Sequence, residues 1–474
     1  MLFNSVTFLI FFTVVLALHS LPFSWRVKKL NLLVASYLFY AAWNPPFVLL
    51  IWLSTLVDWF SAARMSRFTT KRQRRPLLWL SLACNLGLLG YFKYGGFVLE
   101  NMAQVLHSFG VPYEPAEWSI VLPVGISFYT FQTLSYTIDV YRGKSQPCRS
   151  FLDFALFVTF FPQLVAGPIV RASEFLPQCE TPRRATAKQL SWGLTLLCFG
   201  LFEKIVIADG LMAPISDTGF AAGAPLQFLD AWGASLAFSV QVFCDFAGYS
   251  TCAIGAAMCL GFTIPDNFRY PFASVGSAEF WQRWHMTLSR WLQDYLFVPL
   301  GGYRRGSRRA FVNLMITMLL CGLWHGASWN FVLFGGMHGL FIALDRVVQR
   351  KFGKTFLWRH AGGQYVLCAA TCGLFCTTAA VFRSAGLRHA LGFLTGMAAA
   401  GGKASQNVLS WRQDVTAFAV FLILFNYHWL MRHTTLEHVA DRLPWWVRGG
   451  VLGLCLTAIV LLAGSDRAFI YFQF

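Results

Sequence analysis

Charge is scarce in this chain. Asp, Glu, Lys and Arg make up 12% of its 474 residues, about half the ~25% usual for soluble domains. The remainder is 56% hydrophobic and includes 47 Phe and 18 Trp, more apolar surface than one soluble core can hide. That excludes a soluble enzyme, a disordered chain and a secreted disulfide scaffold. Acidic residues are the scarcer sign, 21 against 38 Lys plus Arg, for a net charge of +17. The basic residues fall in short clusters between apolar runs, the pattern of cytoplasmic loops facing anionic lipid, so nucleic acid is not an expected partner. None of the twelve cysteines forms a CxxC pair, and most sit inside apolar runs (Cys84, Cys198, Cys244, Cys252, Cys259, Cys321, Cys455). They read as free core thiols. Cys368, Cys372 and Cys376 recur every four residues without nearby His or carboxylate partners, which makes a packing face and no metal site. No Lys or Arg precedes Arg26, and the charges follow the apolar run at 2–20. That order is the reverse of a secretory signal and predicts a first transmembrane helix with its N-terminus outside.

What is present is a succession of apolar runs. Stretches near 2–20, 30–44, 46–63, 77–92, 190–208, 231–260, 310–345, 364–382, 415–431 and 446–464 approach the length a spanning helix needs. The 231–260 and 310–345 stretches are long enough to be broken or to count twice. The expectation is an all-α polytopic membrane protein with about 10–12 spans, with residues 1–474 as a single membrane domain. Basic loops at 64–75 and 142–149 belong on the cytoplasmic side, and 93–118, with Glu100, Glu114 and Glu117, outside. If 151–167 crossed fully, the basic segment at 183–188 would face the wrong side. The two prolines and the glycine of FFPQLVAGPIVR (160–171) predict a re-entrant segment instead. Irregular backbone at that depth implies an internal cavity nearby. In EFWQRWHMTLSRWLQDYLFVPLGG (279–302), Trp281, Trp284, Leu288, Trp291, Leu292 and Tyr295 recur at helical intervals. That pattern predicts an amphipathic helix over 279–298 at the membrane interface, cytoplasmic because YRRGSRR (303–309) follows it.

Polar residues inside apolar helices are costly enough to be functional candidates. Asn313, Thr317, Cys321 and His325 are spaced by four, and Ser328 continues the stripe at i+3. Gly322 and Gly326 flank Trp324–His325 and allow close approach of another backbone or a thin substrate. A second Trp–His pair, Trp284–His285, argues that His325 is more than a packing residue. His338 falls thirteen residues later, about 140° off that face on an unbroken helix, and reads as packing. A buried imidazole stays neutral and can deprotonate a hydroxyl acceptor, while a second one orients it or steadies the developing oxyanion. GISFY (125–129) and GYSTC (248–252) do not match the nucleophile elbow, and no P-loop, HExxH or dinucleotide fingerprint is present.

Seven segments carry a resemblance: ASYLFYAAWNP (35–45), PVGISFYTFQTLSYTIDVYRG (123–143), FPQLVAGPIVR (161–171), CDFAGYS with AIGAAMCLGFTIPDNFRYPF (244–272), WQRWHMTLSRWLQDYLFVPLGG (281–302), GLWHGASWNFVLFGGMHG (322–339) and FIYFQF (469–474). In order and over nearly the whole length, the chain resembles the membrane-bound O-acyltransferase (MBOAT) family, in particular its alginate O-acetyltransferase-like bacterial branch. It departs from the pattern at GYSTCAIG, where relatives read GYSDMAIG, so Thr251 stands in place of an acid.

The resemblance implies that His325 matches the family's near-invariant histidine and His285 its second characteristic position. It implies a many-helix fold around a central tunnel, lined here by Trp324, Trp284, Cys321, Thr317, Asn313, Ser328 and Asn330. It further implies acetyl-CoA as a donor substrate with no bound cofactor, and an acceptor arriving from the other face of a bacterial inner membrane. That acceptor is a periplasmic acetyltransferase or a polysaccharide such as alginate or cellulose, with a polysaccharide synthase complex nearby. Arg283, Arg290, Arg304 and Arg305 are candidates for the donor's phosphates, or else they fix topology. The alternatives are acyl or aminoacyl transfer from a carrier protein, as in D-alanylation, and a transporter with a histidine proton relay.

Overall fold

The apolar runs fold as helices wherever twenty or so residues pass without a strong breaker. The computed structural model describes residues 1–115, 118, 120–223, 225–402, 405–462 and 467–470. Glu117 and the last four residues of FIYFQF lie outside the described residues. Contacts divide the chain into two units, Met1–Leu194 with Ala253–Pro265, and Thr195–Cys252 with Asp266–Phe474.

The first unit holds α1 (Val6–Ser20), α2 (Trp25–Ala41), α3 (Val48–Met65), α4 (Lys71–Leu89), α5 (Gly95–Ser108), α6 (Ile126–Arg142), α7 (Phe151–Thr159), α8 (Phe161–Leu164) and α9 (Ala172–Glu180). Ser5, Thr70 and Ser150 cap α1, α4 and α7 by accepting the N–H of the third helical residue, as short hydroxyl side chains do. The sequence gives α6 no span because it is rich in Ser, Thr, Tyr and Gln, yet nearly all of it is buried. Part of its polar surface is paired inside the unit, Thr133 with Asn85 and Thr137 with Asp58, whereas the Tyr129 hydroxyl and the Gln132 amide have no hydrogen-bond partner among the described residues. Asp58 of α3 accepts from Thr137 at 2.9 Å, from Asn85 of α4 at 2.8 Å and from Ser81. The break expected at FFPQLVAGP falls at Phe160, between α7 and α8. Pro162 sits in the first turn of α8, where its missing N–H costs nothing. Ser36 accepts the Phe161 N–H at 3.1 Å, and the Gln163 amide donates to the Phe157 carbonyl at 2.8 Å, so the backbone groups freed by the break have partners.

The division between the units falls within α10 (Ala187–Leu201) and within α12. The second unit continues with a π-helical stretch at Phe202–Met212, α11 (Ala213–Ala221), α12 (Phe228–Cys259), α13 (Ser277–Arg283), α14 (Met286–Leu292), α15 (Gly306–His325), α16 (Trp329–Phe352), α17 (Phe356–Arg359), α18 (Ala361–Arg383), α19 (Leu387–Met397), α20 (Trp411–Met431), α21 (Leu436–Arg442) and α22 (Trp445–Leu461). The 231–260 run is one unbroken helix of 32 residues, whereas 310–345 is two helices. Among the described residues, Pro45–Met65 and the helices α12, α16, α18 and α20 are long and apolar enough to cross a membrane, and α1 and α22 are shorter apolar helices. The described residues form no strand, only one isolated bridge between Leu226 and Gln406. The fold is therefore an all-α, multi-pass membrane protein.

The predicted amphipathic helix over 279–298 is not continuous. It is α13 and α14 joined at Trp284–His285, with His285 in the left-handed region at φ 42° and ψ 54°. Nor do its tryptophans mark a membrane surface, because Trp281, Trp284 and Trp291 are all buried. Helical spacing reports which residues share a face. It does not report whether that face meets lipid or protein, nor where a single positive φ interrupts it.

Candidate active site

Four of the five residues of the polar stripe stand together on α15. Asn313, Thr317, Cys321 and His325 are all buried. The Asn313 amide donates to the Gly302 carbonyl at 3.1 Å, and the Thr317 hydroxyl donates to the Asn313 carbonyl at 2.7 Å. Ser328 does not extend the stripe, because α15 ends at His325. Ser328 instead begins α16 as its N-cap, accepting from the Asn330 N–H at 3.3 Å. The Asn330 side chain donates to the Ser384 carbonyl at 2.6 Å, tying the start of α16 to the end of α18. Gly322 and Gly335 allow a close approach of backbones: a Cβ on Gly322 would lie 2.0 Å from the Phe331 carbonyl, and one on Gly335 would lie 2.1 Å from that of Met318. The glycines beside the histidine therefore serve helix packing.

His325 sits in an aromatic cage. Its ring lies 5.1 Å from Trp324, 5.7 Å from Phe334 and 5.5 Å from Phe382, each edge-on. Trp324 is also 5.7 Å from His285, so a single indole adjoins both imidazoles. Trp284 is placed elsewhere, packed among Phe268, Phe280 and Phe375.

The strained turn at His285 is held from a loop eighteen residues earlier. The backbone N–H of Met286 donates to the Asn267 carbonyl, and that of Arg269 to the Arg283 carbonyl, both at 2.9 Å. The Asn267 side-chain oxygen then lies 3.0 Å from His285 Nδ1 and accepts from the Thr287 hydroxyl at 2.9 Å, while its NH2 group donates to Ser250 at 3.2 Å. A carbonyl oxygen only accepts, so Nδ1 carries the proton and Nε2 is the basic nitrogen. Burial drives the His285 pKa down to about 3, which keeps the ring neutral. A positive φ on a histidine costs of order 1–3 kcal/mol and persists only where the surroundings fix it, as these bonds do.

His338 is on a separate helix, since α15 and α16 are not continuous, and the angular argument against it does not apply. Its role follows from its partners. Trp281 Nε1 is 3.3 Å from Nδ1, and Thr378 Oγ1 is 2.9 Å from Nε2. An indole only donates, so Nδ1 accepts and Nε2 carries the proton. Both ring nitrogens are thus committed to joining α13, α16 and α18. Of the candidate arginines, Arg283 is spent on Glu279, at 2.8 Å, and on backbone carbonyls. Arg290, Arg304 and Arg305 are exposed. No group of three His, Cys, Asp or Glu side chains able to hold a metal occurs among the described residues.

The model of the membrane-bound O-acyltransferase family matches residues 13–372, which includes both histidines. The chain is 41% identical over 352 residues to the probable alginate O-acetylase of Pseudomonas putida, covering 73% of this chain and 71% of that one. It is 31% identical to the peptidoglycan O-acetyltransferase of Helicobacter pylori, over 94% and 91% of the two chains. The chain belongs to the membrane-bound O-acyltransferase family. It is an O-acyltransferase, embedded in the bilayer. A teichoic acid D-alanyltransferase of Streptococcus thermophilus is 29% identical over 54% of this chain and 65% of its own length.

The residues that the sequence pattern does not reveal are those around His285. Asn267 lies within the quoted PDNFRYPF segment, but nothing in its spacing ties it to His285. Ser250 and Thr287 are equally unmarked. His428, buried on α20, accepts the Phe272 N–H at 3.2 Å and braces the same loop.

Proposed function

We propose that this chain transfers an acetyl group from acetyl-CoA, on the cytoplasmic side of a bacterial inner membrane, to a hydroxyl of a cell-surface polysaccharide or of a periplasmic partner. The observation that carries the reading is the His285–Trp324–His325 arrangement, with the basic nitrogen of His285 fixed by Asn267. An alcohol is a poor nucleophile at neutral pH, so a neutral imidazole must take its proton as it attacks the thioester carbonyl. His325 fills that role and passes the proton to the departing thiolate. His285, its Nδ1–H held by Asn267, presents an unprotonated Nε2 that accepts from a hydroxyl of the acceptor and so positions it. Trp324 walls the reacting atoms, and the buried cage excludes the water that would otherwise hydrolyse the thioester.

Both histidines lie at one end of α15, and Tyr303–Arg309 leads into the other. Twenty residues separate them by about 30 Å along the axis. A donor held by Arg304 and Arg305 would extend its acyl arm along Asn313, Thr317 and Cys321, a stripe that supplies hydrogen-bonding groups on an otherwise apolar helix. A carrier-protein donor is the second reading, favoured by the likeness to the D-alanyltransferase and by the exposed arginines, which also suit an acidic carrier surface.

Purified protein in vesicles, supplied with radiolabelled acetyl-CoA, tests the donor. The expected result is release of free coenzyme thiol with label appearing on an added glycan or partner. Label transferred only from an acyl carrier protein would replace acetyl-CoA in the proposal.

A further inference from the structure

A polar cavity of about 210 Å³ in the second unit is lined by Asp209, Asp217, Gln241, Asp245, Arg383 and Arg467, with Ala468 and Ile470 beside them. It is smaller than the ~300–1,000 Å³ of drug-sized ligand pockets, so it suits a single small polar ring and nothing longer. Its charges are matched internally. Asp217 pairs with Arg383 at 3.2 Å and Arg467 at 2.5 Å, and Lys204 pairs with Asp209 at 2.9 Å and with Asp245. Three carboxylates thus face three cations, which leaves no net charge to recruit a phosphate and no apolar wall to hold an acyl chain.

One group in the lining is left over. Gln241 is 7% exposed, and its side-chain oxygen has no hydrogen-bond partner among the described residues. A buried acceptor left unmade costs about 1–3 kcal/mol, so it calls for a donor. The charged pairs around it keep lone pairs and N–H groups for further bonds. This mixture of acceptors and donors without net charge matches vicinal hydroxyls, each of which both donates and accepts.

Position gives the cavity its use. Asp245 follows Gln241 by one turn of α12, and the next residue, Phe246, meets the His285 ring edge-on at 4.7 Å. Arg383 ends α18, and the residue before it, Phe382, is the ring 5.5 Å from His325. Two of its walls are thus one residue removed from a ring that touches a histidine. Arg383 also lies at the His325 end of the helices, away from Tyr303–Arg309, since Asn330 at the start of α16 bonds the Ser384 carbonyl.

We infer that this cavity binds a pyranose segment of the acceptor, holding its hydroxyls through Gln241, Asp245 and the Asp217–arginine pairs while a neighbouring hydroxyl reaches the histidines. The inference rests on the proposed hydroxyl acceptor. Calorimetry on the purified full chain would use cellotetraose, a mannuronate tetramer, chitotetraose and a serine-containing peptide as probes. At least one tetrasaccharide should bind the wild type and be weakened about tenfold or more by Gln241→Leu, the equivalent of one lost buried hydrogen bond. Arg467→Gln serves as a second variant if the first fails to fold. His325→Ala should bind the same sugar as the wild type does, so loss of chemistry and loss of the site are read separately. Binding of no tetrasaccharide, equal binding by the wild type and both cavity variants, or binding of the peptide alone would overturn the assignment.

Discussion

Asn267 determines which nitrogen of His285 is basic, and it does so from a loop that sequence spacing does not connect to the histidine. Replacing it with Ala removes the acceptor for both Nδ1–H and the Thr287 hydroxyl. Each buried donor left unsatisfied costs about 1–3 kcal/mol, and the share of that loss felt in the transition state should slow acetyl transfer in Asn267→Ala by roughly 10- to 100-fold. Assays of kcat at matched membrane levels would check this, and an Asn267→Asp variant, which keeps an acceptor oxygen, should recover part of the loss. His285→Ala should cost about 10²-fold in rate, as misplacement of a reacting group does. Unchanged turnover would reduce the turn at His285 to a packing feature. His325 stands out in the sequence because a polar group in an apolar run is costly, and His285 because it repeats the Trp–His pair. Asn267, Ser250 and Thr287 do not, because short polar residues near loops are commonplace and only the fold brings them to one imidazole.

At the scale of helices, the pairing of α15 with α16 fixes where His325 stands. A Cβ on Gly322 would press on the Phe331 carbonyl at 2.0 Å, whereas one on Gly336 would meet only the tip of Leu319 at 3.4 Å. Gly322→Ala should therefore lower the melting temperature in detergent and reduce activity with it, and Gly336→Ala should leave both near wild type. Equal behaviour of the two would show that α15 and α16 tolerate separation. The long apolar helices were legible from length and hydropathy, because burial in lipid or in protein demands the same residues. The break at Phe160 was legible through its prolines. Two features were hidden for opposite reasons. α6 is buried though polar, with Thr137 paired to Asp58 and Thr133 to Asn85. The segment at 279–298 has helical periodicity yet is split by one positive φ at His285, which no periodicity records.

At the scale of the whole molecule, the proposed reaction takes its donor in at the Tyr303–Arg309 loop and carries out its chemistry at the histidines. Changing Arg304 and Arg305 to Gln, while Arg308 and Arg309 keep the loop basic, should weaken thioester-donor affinity severalfold without altering insertion. Affinity equal to wild type would leave these arginines the task of fixing topology. The central claim is that His325 is the catalytic base. Cells carrying His325→Ala, with membrane levels matched to the wild type, should contain surface polysaccharide stripped of the O-acetyl groups this enzyme adds, because one buried imidazole can be removed from the cage of Trp324, Phe334 and Phe382 without dismantling it. O-acetyl content close to wild type in that variant would contradict the account.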